Sequence, residues 1–222
     1  MKIYYCKQRS EEWYRLRCGK ITASDFHILF GDSWTKHNIL MQKAFERVTG
    51  KLQGPKIWTE DIQRGIDMEP QAIALYEQLK GVKVQTVGFV EYNNTAGSSP
   101  DGLVEANGGI EVKSPNFENF YRRSEKKYIV PMHRTQCHVN MFFSGREWWD
   151  YMLYSAGEEP YIERIYRDAA MDKKIIQTIE SSEKIIERNI KTIAYTRGLR
   201  RMRVWPFIAA DQQRRALQPA YI

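Results

Sequence analysis

The sequence predicts an α/β protein, a sheet of short strands flanked by helices, on three observations. Runs rich in β-branched and aromatic residues occur at 82–92, 148–155 and 161–166, the composition that suits a pleated, half-buried surface. Two short runs, 103–105 and 110–113, are separated by Asn107-Gly108-Gly109, which reads as a hairpin turn. Two long segments carry apolar residues at helical spacing: Ile62, Ile66, Ile73, Tyr76 and Leu79 in the first, and Ile175, Ile176, Ile179, Ile186, Ile190 and Ile193 in the second. A chain of 222 residues with no internal repeat and no low-complexity linker is expected to form one domain over 1–222.

Apolar residues make up 42% and charged residues 27% of the chain, ordinary values for a soluble globular protein. No stretch approaches the ~20 apolar residues of a membrane span, and the N-terminus has no signal-peptide core, so no membrane partner is expected. Cys6, Cys18 and Cys137 lack metal-site or disulfide spacing and are expected as free thiols in a reducing cytoplasm. The net charge of +7 favours an anionic partner. Residues 188–215 hold eight basic residues and one acidic residue, so the whole excess sits near the C-terminus. A basic tail from about 198 is expected, either solvated or laid against phosphates or an acidic surface.

In chain order, Ser10 can cap a first helix with Glu11 and Glu12 in its opening turn, and Trp13 and Leu16 share a face. Thr22 or Ser24 can cap a second, short helix. Hydroxyls and N–H groups at a helix start suit a phosphate, and Arg17 would add a forked donor; plain capping explains the same residues. A polar loop over 31–38 precedes a helix over 39–48, stopped at Thr49-Gly50. Gly54-Pro55 breaks the chain before the helix at 59–79, where Glu69-Pro70 marks a kink or a new start, and Gly81 ends the run. One strand is expected over 82–92. A partly helical segment, 116–128, follows Pro115. Pro131 opens a helix over 132–143, on which Gln136 and Asn140 share a face; His133 and His138 are five apart, poor spacing for a shared metal. Two strands joined by a turn at 157–160 lead to the last helix, 170–194.

The chemistry concentrates at Ser99-Pro100-Asp101-Gly102 and Glu111-Val112-Lys113. Proline fixes the chain before Asp101 and glycine permits a sharp turn after it, which aims a carboxylate. Alternation puts Glu111 and Lys113 on one face of their strand. Two carboxylates suit Mg²⁺ or Mn²⁺, and a lysine beside them can orient water or neutralise charge on a phosphate. Metal plus positioned water hydrolyses phosphodiesters.

These residues resemble the Asp…Glu-x-Lys nuclease core and, more narrowly, the phage lambda exonuclease or YqaJ-like viral recombinase family. The likeness covers roughly residues 9–195. It implies a restriction-endonuclease-like core with a mixed central sheet flanked by helices. Arg15-Leu16-Arg17-x-Gly19-x-Ile21-Thr22-Ala23-Ser24 looks like the family's 5′-phosphate pocket, implying Arg17, Thr22 and Ser24 as ligands. Gly65-x-x-Met68-Glu69 looks like the family's helix glutamate, implying Glu69 in the metal site. Asp101 and Glu111 would be the principal metal ligands, with the Val112 carbonyl as a further one. Lys113 would position the attacking water, and Gln136 would lie near the scissile phosphate. A second glutamine of the family is replaced by His138. Its second phosphate-binding arginine has no clear match, and Lys36 is the nearest basic residue.

The resemblance implies an exodeoxyribonuclease that resects one strand of duplex DNA 5′→3′ from linear ends, leaving a 3′ single strand for phage-type recombination in a bacterial host. It also implies two Mg²⁺ ions (with Mn²⁺ an alternative), a homotrimer and a single-strand annealing protein as partner. Two rival readings are an endonuclease with the same core and a non-catalytic DNA-end-binding recombination protein. A CRISPR-associated iron–sulfur exonuclease would need four clustered cysteines.

Overall fold

In the computed structural model the described residues are 1–53 and 59–196. The Gly54-Pro55 break and the basic tail from about 198 lie outside them. The elements run β1 (Lys2–Tyr4), α1 (Glu11–Arg17), β2 (Ile21–Thr22), a 3-10 turn (Ala23–Asp25), α2 (Phe26–Leu29), α3 (Trp34–Thr49) and α4 (Glu60–Lys80). Then come β3 (Val84–Gln85), β4 (Phe89–Glu91), β5 (Ala96–Ser98), β6 (Gly102–Val104) and β7 (Gly108–Lys113). The chain continues through α5 (Phe117–Glu125), α6 (Pro131–Ser144), β8 (Trp148–Leu153), β9 (Tyr161–Tyr166) and α7 (Ala169–Thr196).

Local chemistry explains the helix ends. Ser10, Ser33, Thr59 and Asn116 accept from the N–H of Trp13, Lys36, Ile62 and Asn119, each satisfying an orphan donor. Gly50, Gly81 and Gly145 close α3, α4 and α6 in the left-handed region. Helix α3 starts at Trp34, five residues before the expected Ile39, because Ser33 caps it. Helix α4 runs through Pro70 as one element.

The strands form two sheets, ordered β1-β4-β5-β2 and β3-β6-β7-β8-β9. Both are mixed: β2–β5 and β7–β8 are parallel and the remaining pairs antiparallel. The single strand expected over 82–92 is in fact two, one in each sheet. The chain changes sheet at Gly88, where a Cβ would sit 2.2 Å from the Cys6 carbonyl oxygen.

The hairpin is present, but its turn is not Asn107-Gly108-Gly109. Gly108 and Gly109 lie inside β7, paired with Val104 and Leu103, and Glu105 supplies the positive φ of the turn, 49°. The glycines make room for indoles: a Cβ on Gly108 would lie 2.0 Å from Trp148 Cζ2, and one on Gly109 2.3 Å from Trp149 Cη2. Gly109→Ala should therefore destabilise the fold by about 1–3 kcal/mol, the usual cost of overpacking a rigid core. An unchanged urea midpoint would show that the ring has room to move.

Alternation sorts the five-stranded sheet onto two cores. Leu103, Trp149, Tyr151, Leu153 and Ile165 join the cluster containing Cys137, Val139 and Phe143 of α6 and Ile175, Ile179 and Ile186 of α7. Val104, Ile110, Val112, Trp148 and Met152 pack with Ala72 and Tyr76 of α4. Asp150, 1% exposed, is buried on the α4 side. Its carboxylate accepts from Tyr76 Oη at 2.6 Å and from Arg164 Nε and Nη2 at 2.8 and 2.9 Å, so the buried charge is paired. Among the described residues no helix is long and apolar enough to cross a membrane, and all three cysteines are free.

Candidate active site

Strand β7 carries Glu111 and Lys113 toward α6, the face opposite Val112. Glu111 is fully buried. Its Oε1 pairs with the Lys113 ammonium, and its Oε2 accepts from Asn140 Nδ2 at 3.0 Å. Asp101, just before β6, accepts from the Val112 N–H at 2.7 Å, which ties the Pro-Asp-Gly turn to the strand. Glu69 reaches the same cleft from α4. Arg9, Arg64, Glu69, Asp101, Lys113 and His133 are among the residues around this cleft of about 370 Å³.

The electrostatics are those of carboxylates forced together in a desolvated place. Burial pushes the Glu69 carboxyl up to about 7, and the Asp101 charge adds to the effect. Burial, then Asp101, pushes Glu111 up to about 8, with Glu69 contributing. Asp101 is raised by burial, against the pull of Lys113, the Val112 N–H and Arg9. Burial alone would lower Lys113, but the Glu111 and Asp101 carboxylates outweigh it and raise it. His133 is held down to about 3 by burial and by the Lys113 and Arg123 charges. It is therefore neutral, 3.2 Å from Tyr151 Oη.

Could these residues hold a metal? Among the described residues no three acidic, histidine or cysteine side chains converge closely enough to enclose an ion unaided. Glu111 is engaged by Lys113 and Asn140, and Asp101 by a backbone N–H. The donor set still fits a hard divalent cation. It is all oxygen, and burial together with the Asp101 charge raises Glu69 and Glu111, a repulsion that a bound cation would relieve.

Of the residues of the expected phosphate pocket, Arg17 connects toward this cleft through Ser99. Arg17 stacks over the Trp13 ring, 4.4 Å from its centroid, and donates to Ser99 Oγ at 3.1 Å. Trp13 Nε1 donates to the same oxygen at 2.8 Å. Ser99 is thus the link from α1 to the Asp101 turn. Thr22 pairs with Gly97 across β2–β5. Its hydroxyl donates to Asp25 Oδ2 at 2.9 Å and lies 3.2 Å from the exposed Ser24 Oγ. Asp25 bears on Arg17 as well, its charge opposing the downward push of burial. Lys36 sits in the first turn of α3 and gives its ammonium to the Gly31 carbonyl at 3.0 Å, with no hydrogen bond to Arg17, Thr22 or Ser24.

Gln136 is half-buried on α6 and makes no side-chain hydrogen bond among the described residues. Asn140, one turn on, is the α6 amide that reaches the carboxylates; the i, i+4 spacing from Gln136 was its sequence signal. Its Oδ1 is buried without a partner. Arg9, Arg64 and Arg123, which line the cleft, were not singled out by the sequence. Arg9 adopts φ 66°, a left-handed conformation uncommon for residues other than glycine, and it faces Glu69 and Asp101.

The fold has solved counterparts. The crystal structure of an alkaline exonuclease (LHK-Exo) from Laribacter hongkongensis, 28% identical, matches with a TM-score of 0.78 over 85% of this chain and 98% of that one. The same enzyme in complex with dAMP gives 0.79 at the same identity and coverage. A phage related exonuclease from Haemophilus somnus 129PT, 16% identical, shares the fold with a TM-score of 0.60 over 78% of this chain and 96% of that one. No curated protein matches the chain. A family model, the YqaJ-like viral recombinase domain, matches residues 12–147, the span that holds Arg17, Glu69, Asp101, Glu111 and Lys113, and the chain belongs to that family.

Proposed function

We propose that this protein is a divalent-metal-dependent exodeoxyribonuclease that resects one strand of linear duplex DNA in the 5′→3′ direction, leaving a 3′ single strand for recombination. The observation that carries the reading is Glu69, Asp101 and Lys113 lining one cleft rimmed by arginines, with the buried Glu111 paired to Lys113 behind them. The likeness to alkaline exonuclease structures supports it, and one of those proteins binds a mononucleotide, dAMP. In this reading Asp101, Glu111, the Val112 carbonyl and Glu69 hold Mg²⁺, two ions by family resemblance, with Mn²⁺ as a substitute. Bound there, the metal supplies Lewis-acid activation of water and of the phosphate. Lys113, already paired with Glu111, orients the attacking water and neutralises charge on the phosphate. Asn140 holds Glu111 in its rotamer from behind, and Gln136 lies toward the scissile phosphate. A homotrimer and a single-strand annealing partner belong to the same reading.

The test is a time course on linear duplex labelled at either end, with and without Mg²⁺. Mg²⁺-dependent early release of the 5′ label, with the complementary strand persisting, is expected; internal cuts or no cleavage would overturn it.

Arg17, Thr22 and Ser24 receive the terminal phosphate in this scheme. Hydrogen bonds to a charged group contribute about 1.5–3 kcal/mol, so 5′-phosphorylated ends should be degraded about 10- to 100-fold faster than 5′-hydroxyl ends. Arg17→Ala should erase most of that preference. Equal rates on the two ends in the unaltered protein would remove the pocket from the mechanism.

A further inference from the structure

A second cavity, of about 460 Å³, lies beside the cleft and is lined by Arg122, Arg123, Lys126, Tyr128 and Val130. Its size falls within the ~300–1,000 Å³ of small-molecule sites. Three of its five lining residues are cationic and none is acidic. Among the described residues none of the three cations forms an ion pair. Arg122 donates only to the neutral Asn119 Oδ1, at 2.6 Å. Arg123 lines both this cavity and the carboxylate cleft, so one side chain borders the two.

A plainer account exists for part of this. Arg122 and Arg123 stand in the last turn of α5, where cations suit the helix dipole. That account does not explain why Lys126, Lys127 and Tyr128 continue the surface past the helix, or why Lys127 takes the left-handed φ of 47° to turn the chain around the cavity. Nor does it explain the exposed rings on α5 and just after it. Tyr128 is 48% exposed, Tyr121 45% and Phe117 63%, with the last two rings in edge contact at 4.5 Å. Cations beside exposed rings are how proteins hold unpaired nucleic acid: phosphates on the charges, bases on the rings.

We propose that this cavity binds a backbone phosphate of single-stranded DNA adjoining the cleft, held by Arg122 and Lys126, with a base stacked on Tyr128. The proposal rests on the nuclease reading for its substrate. It can be tested apart from it, because binding is read in EDTA, without catalysis.

The full chain and its R122A/K126A variant would be titrated with a fluorescent single-stranded oligonucleotide in EDTA at several salt concentrations, with thermal midpoints as a folding control. The variant should bind more weakly, and its slope of log K against log salt should be shallower by about 0.7 for each phosphate no longer neutralised. Tyr128→Ala should weaken binding about tenfold while leaving the slope unchanged, because it removes a ring and no charge. Unchanged affinity and slope in the folded R122A/K126A variant would overturn the cavity. So would a loss confined to blunt duplex with single-strand binding intact. Failure of the unaltered protein to release nucleotides with Mg²⁺ would instead overturn the nuclease reading.

Discussion

A purified Asp101→Ala protein should lose nuclease activity by at least about 10³-fold, since a catalytic metal supplies several kcal/mol of transition-state stabilisation. Glu111→Ala should do the same. The two residues fail for related but distinct reasons. Asp101 is anchored by the Val112 N–H at 2.7 Å, so its removal would delete a proposed metal ligand and also free the turn before β6. Glu111 is fully buried and is the partner of Lys113; removing it leaves that ammonium without its ion pair and Asn140 without its acceptor. Neither change removes a positive charge, so affinity for duplex ends in EDTA should be kept or slightly raised. Glu111→Gln separates ligand loss from cavity formation, because the amide keeps volume and can still accept from Asn140. Activity persisting in a clean Asp101→Ala preparation would end the metal-nuclease assignment.

Much of this site was legible in the chain, because its pieces are local. Pro100 and Gly102 flank Asp101, and Glu111 and Lys113 share a strand face by alternation alone. The cap at Ser10 and the stops at Gly50, Gly81 and Gly145 depend on neighbours a few residues away. What was misread depended on distant partners. Gly108-Gly109 after an asparagine has the composition of a turn, yet these glycines serve Trp148 and Trp149 on a distant strand. Residues 82–92 have one continuous strand composition, and only the two sheets on either side divide it. The parallel β7–β8 pairing requires α5 and α6 as its crossover, which periodicity cannot reveal. The shared face of Gln136 and Asn140 was legible, but which of the two amides meets Glu111 depends on a strand 29 residues away.

The same crowding of carboxylates gives the protein a pH-dependent stability. Glu69 and Glu111 rise from 4.5 to about 7 and about 8 in the folded chain. Between the ordinary and the raised values, the folded state binds more protons than the unfolded one. Their contribution to stability is therefore complete below about pH 4.5 and is lost as pH rises toward 8, by a total on the order of 4 kcal/mol. The two shifts are not additive, because each carboxylate is raised partly by its neighbours' charge. Lys113, whose raised value lies far above this window, stays charged throughout and contributes no slope within it. A divalent cation bound by the carboxylates favours their ionised forms and should flatten the profile, and its affinity should itself grow with pH up to about 8. Chemical denaturation in EDTA from about pH 5.5 to about 8.5 should show the decline across the raised values. Mg²⁺ should restore stability at the alkaline end of that range and do little at the acidic end. Glu111→Gln, neutral at every pH, should lose the Glu111 share of the slope, keep that of Glu69, and weaken the Mg²⁺ response while remaining folded. A flat profile in EDTA would mean that these carboxylates are not raised in the folded chain, and a Mg²⁺ effect equal at both ends of the range would mean that they are not the cation's ligands.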